Sequence, residues 1–139
     1  MTSFPVKVDQ VDNVIPADIN ADTSVTLYAD GTLTVATHAY EWTLLHGGHV
    51  GVVVLFYDAN QHWLVSTNPV RYGLDGKWIG TSEITATFNQ TIDKDTMSQV
   101  AYVAIKHYNA PNDAWTDIQA WLNGAEKAFN DVIDFVKKI

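Results

Sequence analysis

The feature that most restricts the fold is a change of hydrophobic period at Pro111. Before it, apolar residues come in short runs that alternate with polar ones, the repeat of half-buried strands. After it, Trp115, Ile118, Leu122, Ala125, Phe129, Val132, Val136 and Ile139 recur every three to four residues, the repeat of one helix face. Such a chain predicts sheet first and a helix last.

The alternating part divides at turn signals. "SVTLYADGTLTVATHAYEWTL" (24–44) holds two runs around Asp30-Gly31, and Asp-Gly between alternating apolar residues predicts a hairpin with positive φ at both turn positions. "VGVVVLFY" (50–57) is apolar on both faces and predicts a central strand. "DANQ" (58–61) turns into "HWLVST" (62–67), and Pro69 then marks an edge or a bulge. A second Asp-Gly, Asp75-Gly76, predicts another turn; "EITATFNQT" (83–91) and "VAYVAIKHY" (100–108) complete the strands. Residues 1–23, rich in Asp and Asn and carrying Pro5 and Pro16, read as an irregular or edge segment.

The expected architecture is mainly β: an antiparallel β-sandwich of about seven or eight strands over 24–108, with one C-terminal amphipathic helix over 112–138. Asn112 or Asp113 is placed to cap that helix, and Asn123-Gly124 to kink or break it. Its stripe is expected to dock on the protein's own sheet, ahead of self-pairing as a homodimer or contact with a membrane. The polar face, with Asp117, Glu126, Asp131 and Asp134, is acidic, whereas membrane-surface helices favour Lys and Arg. At 139 residues the chain suits a single domain able to bury roughly two-thirds of its unfolded surface.

Charge narrows the partners. Eight bases against sixteen acids leave a formal charge of −8. Residues 1–69 hold seven of the acids and a single base, Lys7. Phosphate recognition rests on clustered Lys and Arg, so no nucleic-acid partner is expected. The longest apolar run is far short of the ~20 residues that span a bilayer, so integral membrane insertion is not expected. "MTSFPVKVDQ" has no basic stretch followed by an apolar one, and the expected location is cytoplasmic. Without cysteine there is no disulfide framework and no thiolate metal site.

The stretch "HGGH" (46–49) poses the question of chemistry. A two-residue hairpin at Gly47-Gly48 would set His46 and His49 face to face, about 5 Å apart and able to share a metal ion. A three-residue loop would pair Leu45 with His49 instead, and it gives the more apolar face. In either register His62 and His38 lie about 26 Å along the strands, at ~3.3 Å per residue. A catalytic zinc normally takes three protein ligands, so a turn is the preferred reading and no cofactor is expected. Asp18, Asn20 and Asp22 have the spacing that opens a calcium loop, but Thr23 and Ala29 stand where its Gly and Glu belong.

No nucleophile elbow, phosphate loop or zinc-protease motif is present. His38, Tyr40 and Glu41 are the clustered candidates for a small pocket enzyme; parity places Glu41 with Thr37 and Ala39 on the more polar face, where it should be solvated. The leading expectation is a non-enzymatic binding module. Tyr57, Trp63, Tyr72 and Trp78 fall beside turns with Asp58 and Asn60, and flat aromatics next to such groups hold sugars or protein loops. The alternatives are the pocket enzyme and a self-assembling or membrane-contacting subunit using the C-terminal helix.

Overall fold

The computed structural model describes residues 3–14, 19–41, 48–74, 82–110 and 115–139. Two antiparallel sheets pack face to face. One has the order β1 (Val6–Val14), β2 (Ile19–Leu27), β3 (Thr32–Glu41), β7 (Ser82–Thr91). The other runs β5 (Trp63–Ser66), β4 (Gly48–Tyr57), β8 (Tyr102–Asn109), β9 (Val136–Lys138), with β6 (Val70–Leu74) also on β4. Val25, Leu27, Leu33 and Val35 from the first sheet meet Val52, Val54, Phe56, Val103 and Ile105 from the second. Each fully buried side chain of this kind contributes roughly 1.5–3 kcal/mol before entropy is charged against it.

Within residues 1–23, the described strands are more regular than the composition suggests, and β1 is the edge strand of its sheet. β1 pairs with β2 from Val6↔Leu27 to Val14↔Ile19, residue for residue. Val8 and Val14 face the core while Asp9 and Asn13 face solvent, so the Asp and Asn supply the polar half of an edge strand rather than a loop. The hairpin at Asp30-Gly31 forms, with a different turn from the one expected. Among the described residues of this hairpin only Gly31 has positive φ, at 97°, and Tyr28 N–H donates to Thr32 O across a three-residue loop. A Cβ on Gly31 would lie 2.1 Å from the Ile92 carbonyl oxygen, so both backbone conformation and space demand glycine there.

The loop after β4 repeats this geometry with a less suitable residue. Asp58 N–H donates to His62 O and Gln61 N–H to Asp58 O, and Gln61 takes the positive φ, 66°. A side chain in the left-handed region costs about 1–2 kcal/mol, of which glycine's larger unfolded entropy returns roughly 0.5–1 kcal/mol. Gln61→Gly is therefore expected to stabilise the protein by up to about 1 kcal/mol. Urea denaturation checks this, and a fall in the midpoint would mean that contacts of the Gln61 side chain outweigh the backbone effect.

A further expectation is corrected. β3 pairs with β2 and β7, and β4 with β5, β6 and β8. The chain therefore changes sheets between Glu41 and Gly48, and neither hairpin register drawn through "HGGH" is formed. The apolar faces of β3 and β4 are satisfied by opposite layers of the sandwich. Pro69 does mark an irregularity: β5 and β6 occupy successive lengths of the same edge of β4, and between them Thr67 bonds Val54 through both its N–H and its hydroxyl.

The C-terminal helix is shorter than its stripe. After the short helix α1 (Lys94–Met97), α2 spans Trp115–Lys127 and continues through Asn123-Gly124 without a break. It ends where Ala128 turns extended, and two 3-10 turns lead into β9, which pairs Tyr102–Ala104 of β8. Strand pairing at the edge of β8 thus overrides the helical period beyond Lys127. Ile118, Leu122, Ala125 and Val132 pack on Val53, Leu55, Tyr57 and Ala104, the outer face of the second sheet. Trp115, at the head of the stripe, is left 61% exposed.

Candidate functional site

Among the described residues, the aromatics expected at one recognition edge are not gathered there. Tyr57 is fully buried beneath α2, where its hydroxyl donates to the Ala125 carbonyl. Burial and the nearby Glu126 and Asp131 push its pKa up to about 12. Asp58 closes its own turn, accepting from the N–H groups of Asn60 and His62. Tyr72 is half-buried between two core clusters, and that burial raises its pKa against the opposing effect of a Thr37 hydrogen bond. Trp63, 38% exposed, and Asn60 remain at the surface. Trp78, like the Asp75-Gly76 turn, lies outside the described residues.

The metal candidates fare similarly. His49 sits on β4 against Gly73 of β6. Asn20 and Asp22 lie on the outer face of β2, in a paired strand rather than a loop. His46 and Asp18 fall outside the described residues. Among the described residues no group of three or more acidic or histidine side chains has metal-binding geometry. The enzyme candidates separate as well. His38 and Tyr40 point outward, with His38 bonded to Glu83, while Glu41 is buried, 1% exposed. Parity does group Glu41 with Thr37 and Ala39, but that is also the face of Leu33 and Val35, the core face.

The structure assembles a different site. His107 of β8 points between the sheets, its side chain fully buried. Its Nδ1 lies 2.6 Å from Asp12 Oδ2 on β1 and its Nε2 lies 2.7 Å from the Thr23 hydroxyl on β2. Thr23 in turn bonds Thr37 of β3 at 2.9 Å, and Gln10 donates to the other Asp12 oxygen at 3.1 Å. Because the Asp12 carboxylate accepts, the neutral ring carries its proton on Nδ1, and Nε2 accepts from Thr23. Burial lowers the His107 pKa more than the adjacent Asp12 raises it. The imidazole is therefore neutral near pH 7.

Asp12 stands at the mouth of this network, its side chain 36% exposed. It lines a cavity of about 320 Å³ together with Asn13, Lys106, Asn109 and Phe135. The cavity forms because β9 pairs only Tyr102–Ala104; beyond Ala104 no described strand pairs with that edge of β8. A second cavity of about 150 Å³, walled by Asp117 and Trp121 of α2, shares Lys106, Tyr108 and Asn109 with the first. At the junction the Lys106 ammonium lies 5.1 Å from the ring centres of both Trp121 and Phe135, which are 5.8 Å from each other. Cation–π contacts at such half-exposed positions contribute about 0.5–1 kcal/mol. Tyr108 lies directly over Gly51, where a Cβ would come within 2.1 Å of the ring, so the glycine lets the tyrosine form the wall.

The order Asp12, His107, Thr23 is that of carboxylate, base and hydroxyl in nucleophilic catalysis. Thr23 is fully buried and has no route to a substrate. The trio ties both sheets together and orients one carboxylate toward the groove.

Comparison with known proteins adds little. No protein-family model matches the chain, and no curated protein does. A crystal structure of a DUF1425 family member from Shewanella sp. pv-4 is 16% identical, covering 81% of this chain and 97% of that one with a TM-score of 0.42. A likeness that low supports no inference about this chain.

Proposed function

We propose that the chain is a non-enzymatic recognition module that seats a small polar ligand in the groove between β1 and β8. The observation that carries this is Asp12, a charged carboxylate oriented by a buried neutral histidine and opening into a cavity that also presents aromatic rings. Convergent polar groups in a concave, partly apolar site are what small-ligand pockets have. An added peptide strand fits less well. Cα atoms of β1 and β8 approach within 8 Å, and a strand between them needs roughly 9.6 Å. The self-assembling and membrane-contacting readings have less support, because Ile118, Leu122 and Ala125 of the α2 stripe are covered by the protein's own sheet and only Trp115 at its head is exposed. Among the described residues no helix is long and apolar enough to cross a membrane.

Amide-resolved NMR with a library of polar small molecules, simple sugars included, tests the proposal. Ligands should shift the amides of 12–14 and 105–109 and the Trp121 indole. Trp121→Ala should weaken binding about tenfold, a typical loss for one contact aromatic, while Trp63→Ala leaves it unchanged. Shifts confined to Asn60–Trp63 would instead place recognition at the hairpin loops.

A further inference from the structure

We propose that the groove takes an organic dication, a short aliphatic chain with an ammonium at each end, and that Lys106 is a built-in competitor for one end. The inference rests on the groove being the recognition site, and it names the ligand class. The Trp121–Phe135 pair already holds an ammonium, that of Lys106, so the seat accepts a cation as the protein is built. Both cavities beside it carry a carboxylate, Asp12 in one and Asp117 in the other, and Lys106 is the one cationic side chain in their described lining. His107 does not cancel Asp12, because the ring between Thr23 and Asp12 is neutral. With Lys106 turned out to solvent, the lining holds two carboxylates and no cation, the complement of two ammonium groups.

One ligand ammonium then takes the aromatic seat, in the field of Asp117, and the other donates to the open lone pairs of Asp12. The methylenes between them lie along Phe135. The formal charge of −8 adds a long-range attraction for cations. An anionic ligand would meet Lys106 favourably but both carboxylates unfavourably. The two ligand classes therefore predict opposite effects of removing Lys106.

The experiment is calorimetric titration of the full chain at low ionic strength, where exposed charges are least screened. The probes are 1,4-diaminobutane, butylamine and glucuronate. The diamine should bind, and butylamine about tenfold more weakly because it lacks the Asp12 contact. Lys106→Met keeps the stem but not the charge and should tighten diamine binding about tenfold, whereas Asp117→Asn or Trp121→Leu should weaken it by about the same factor. Circular dichroism confirms that each variant is folded. Unchanged or weaker diamine binding by Lys106→Met overturns the proposal, as does glucuronate binding that is lost in that variant. If neutral polar ligands shift the groove amides and the diamine does not, the groove reading stands and the dication is excluded. If the diamine shifts only amides outside the groove, both readings fall.

Discussion

Phe129→Asp should destabilise the protein by about 2–4 kcal/mol, the cost of removing a partly buried aromatic and setting a poorly solvated charge in its place. Phe129 follows α2 and meets two rings edge-on, Tyr57 at 5.2 Å and Tyr102 at 5.2 Å. Tyr57 is itself fixed by its hydrogen bond to Ala125 at the end of the helix, so one contact couples the helix, the 3-10 turns and the sheet. Glu126 and Asp131 already make this corner negative, adding to the larger effect of burial in raising the Tyr57 pKa, and a third carboxylate would meet repulsion as well as lost packing. Against a typical total stability of 5–15 kcal/mol the loss is a large fraction. The contacts lie within one chain, so the loss should be the same at protein concentrations twentyfold apart. Urea denaturation at two concentrations decides it. A variant of unchanged stability, or one whose loss appears only on dilution, would mean that the apolar face of α2 serves an interface between copies.

That the helix docks on a sheet is legible in the sequence, because Ile118, Leu122, Ala125 and Val132 must be covered and their acidic opposite face disfavours a membrane. Where the helix ends is not legible. The stripe continues through Val136 and Ile139, and only the open edge of β8 makes strand pairing the better use of Val136–Lys138. The partner sheets are hidden for a similar reason. Local alternation shows that β3 and β4 are strands, but a break between two apolar strands looks alike whether the chain turns back or crosses to the other layer. Glu41 shows how far parity reaches: it assigns neighbours to a face correctly but cannot say which face is inside. Leu33 and Val35 at the other end of the same strand are the signal that could have settled it.

The candidate site is nearly silent in the sequence. Asp12, Thr23 and His107 lie on three strands, the first and the last 95 positions apart in sequence. No local spacing relates them. Each obeys strand parity: Asp12 aligns with Val8 and Val14, Thr23 with Val25 and Leu27, His107 with Val103 and Ile105. A polar residue on an apolar face is a visible signal, and three such residues on adjacent layers make a network the only affordable arrangement, since a buried polar group without a partner costs about 1–3 kcal/mol. Turn-side aromatics, by contrast, draw attention because flat rings near Asp and Asn suit ligands. Tyr57 and Tyr72 fill the core instead.

The stability of the protein should fall as pH drops below about 6.5, through His107. Its pKa is lowered in the folded state, chiefly by burial. Above the ordinary value near 6.5 the ring is neutral in both states, and its contribution is present in full. Below 6.5 the unfolded chain takes up the proton first, so stability declines until the folded-state pKa is reached and levels off beneath it. The hydrogen bonds show what protonation disrupts. A charged ring must donate from Nε2, so Thr23 can no longer donate to it and must reverse its hydroxyl, and Thr37 must adjust in turn. Asp12 resists the change by favouring the cation, but burial is the larger effect. Asp30, its pKa lowered by the hydrogen bond from the Thr32 N–H, contributes only in the separate window near and below pH 4. Thr23→Val leaves Nε2 buried without a donor and should cost about 1–3 kcal/mol at pH 7.5. His107→Leu should abolish the decline between pH 6.5 and the folded-state value while leaving the lower window intact. Urea midpoints from pH 3 to 8 measure both. If His107→Leu keeps the wild-type slope, the acid sensitivity belongs to other groups and the buried imidazole is not its source.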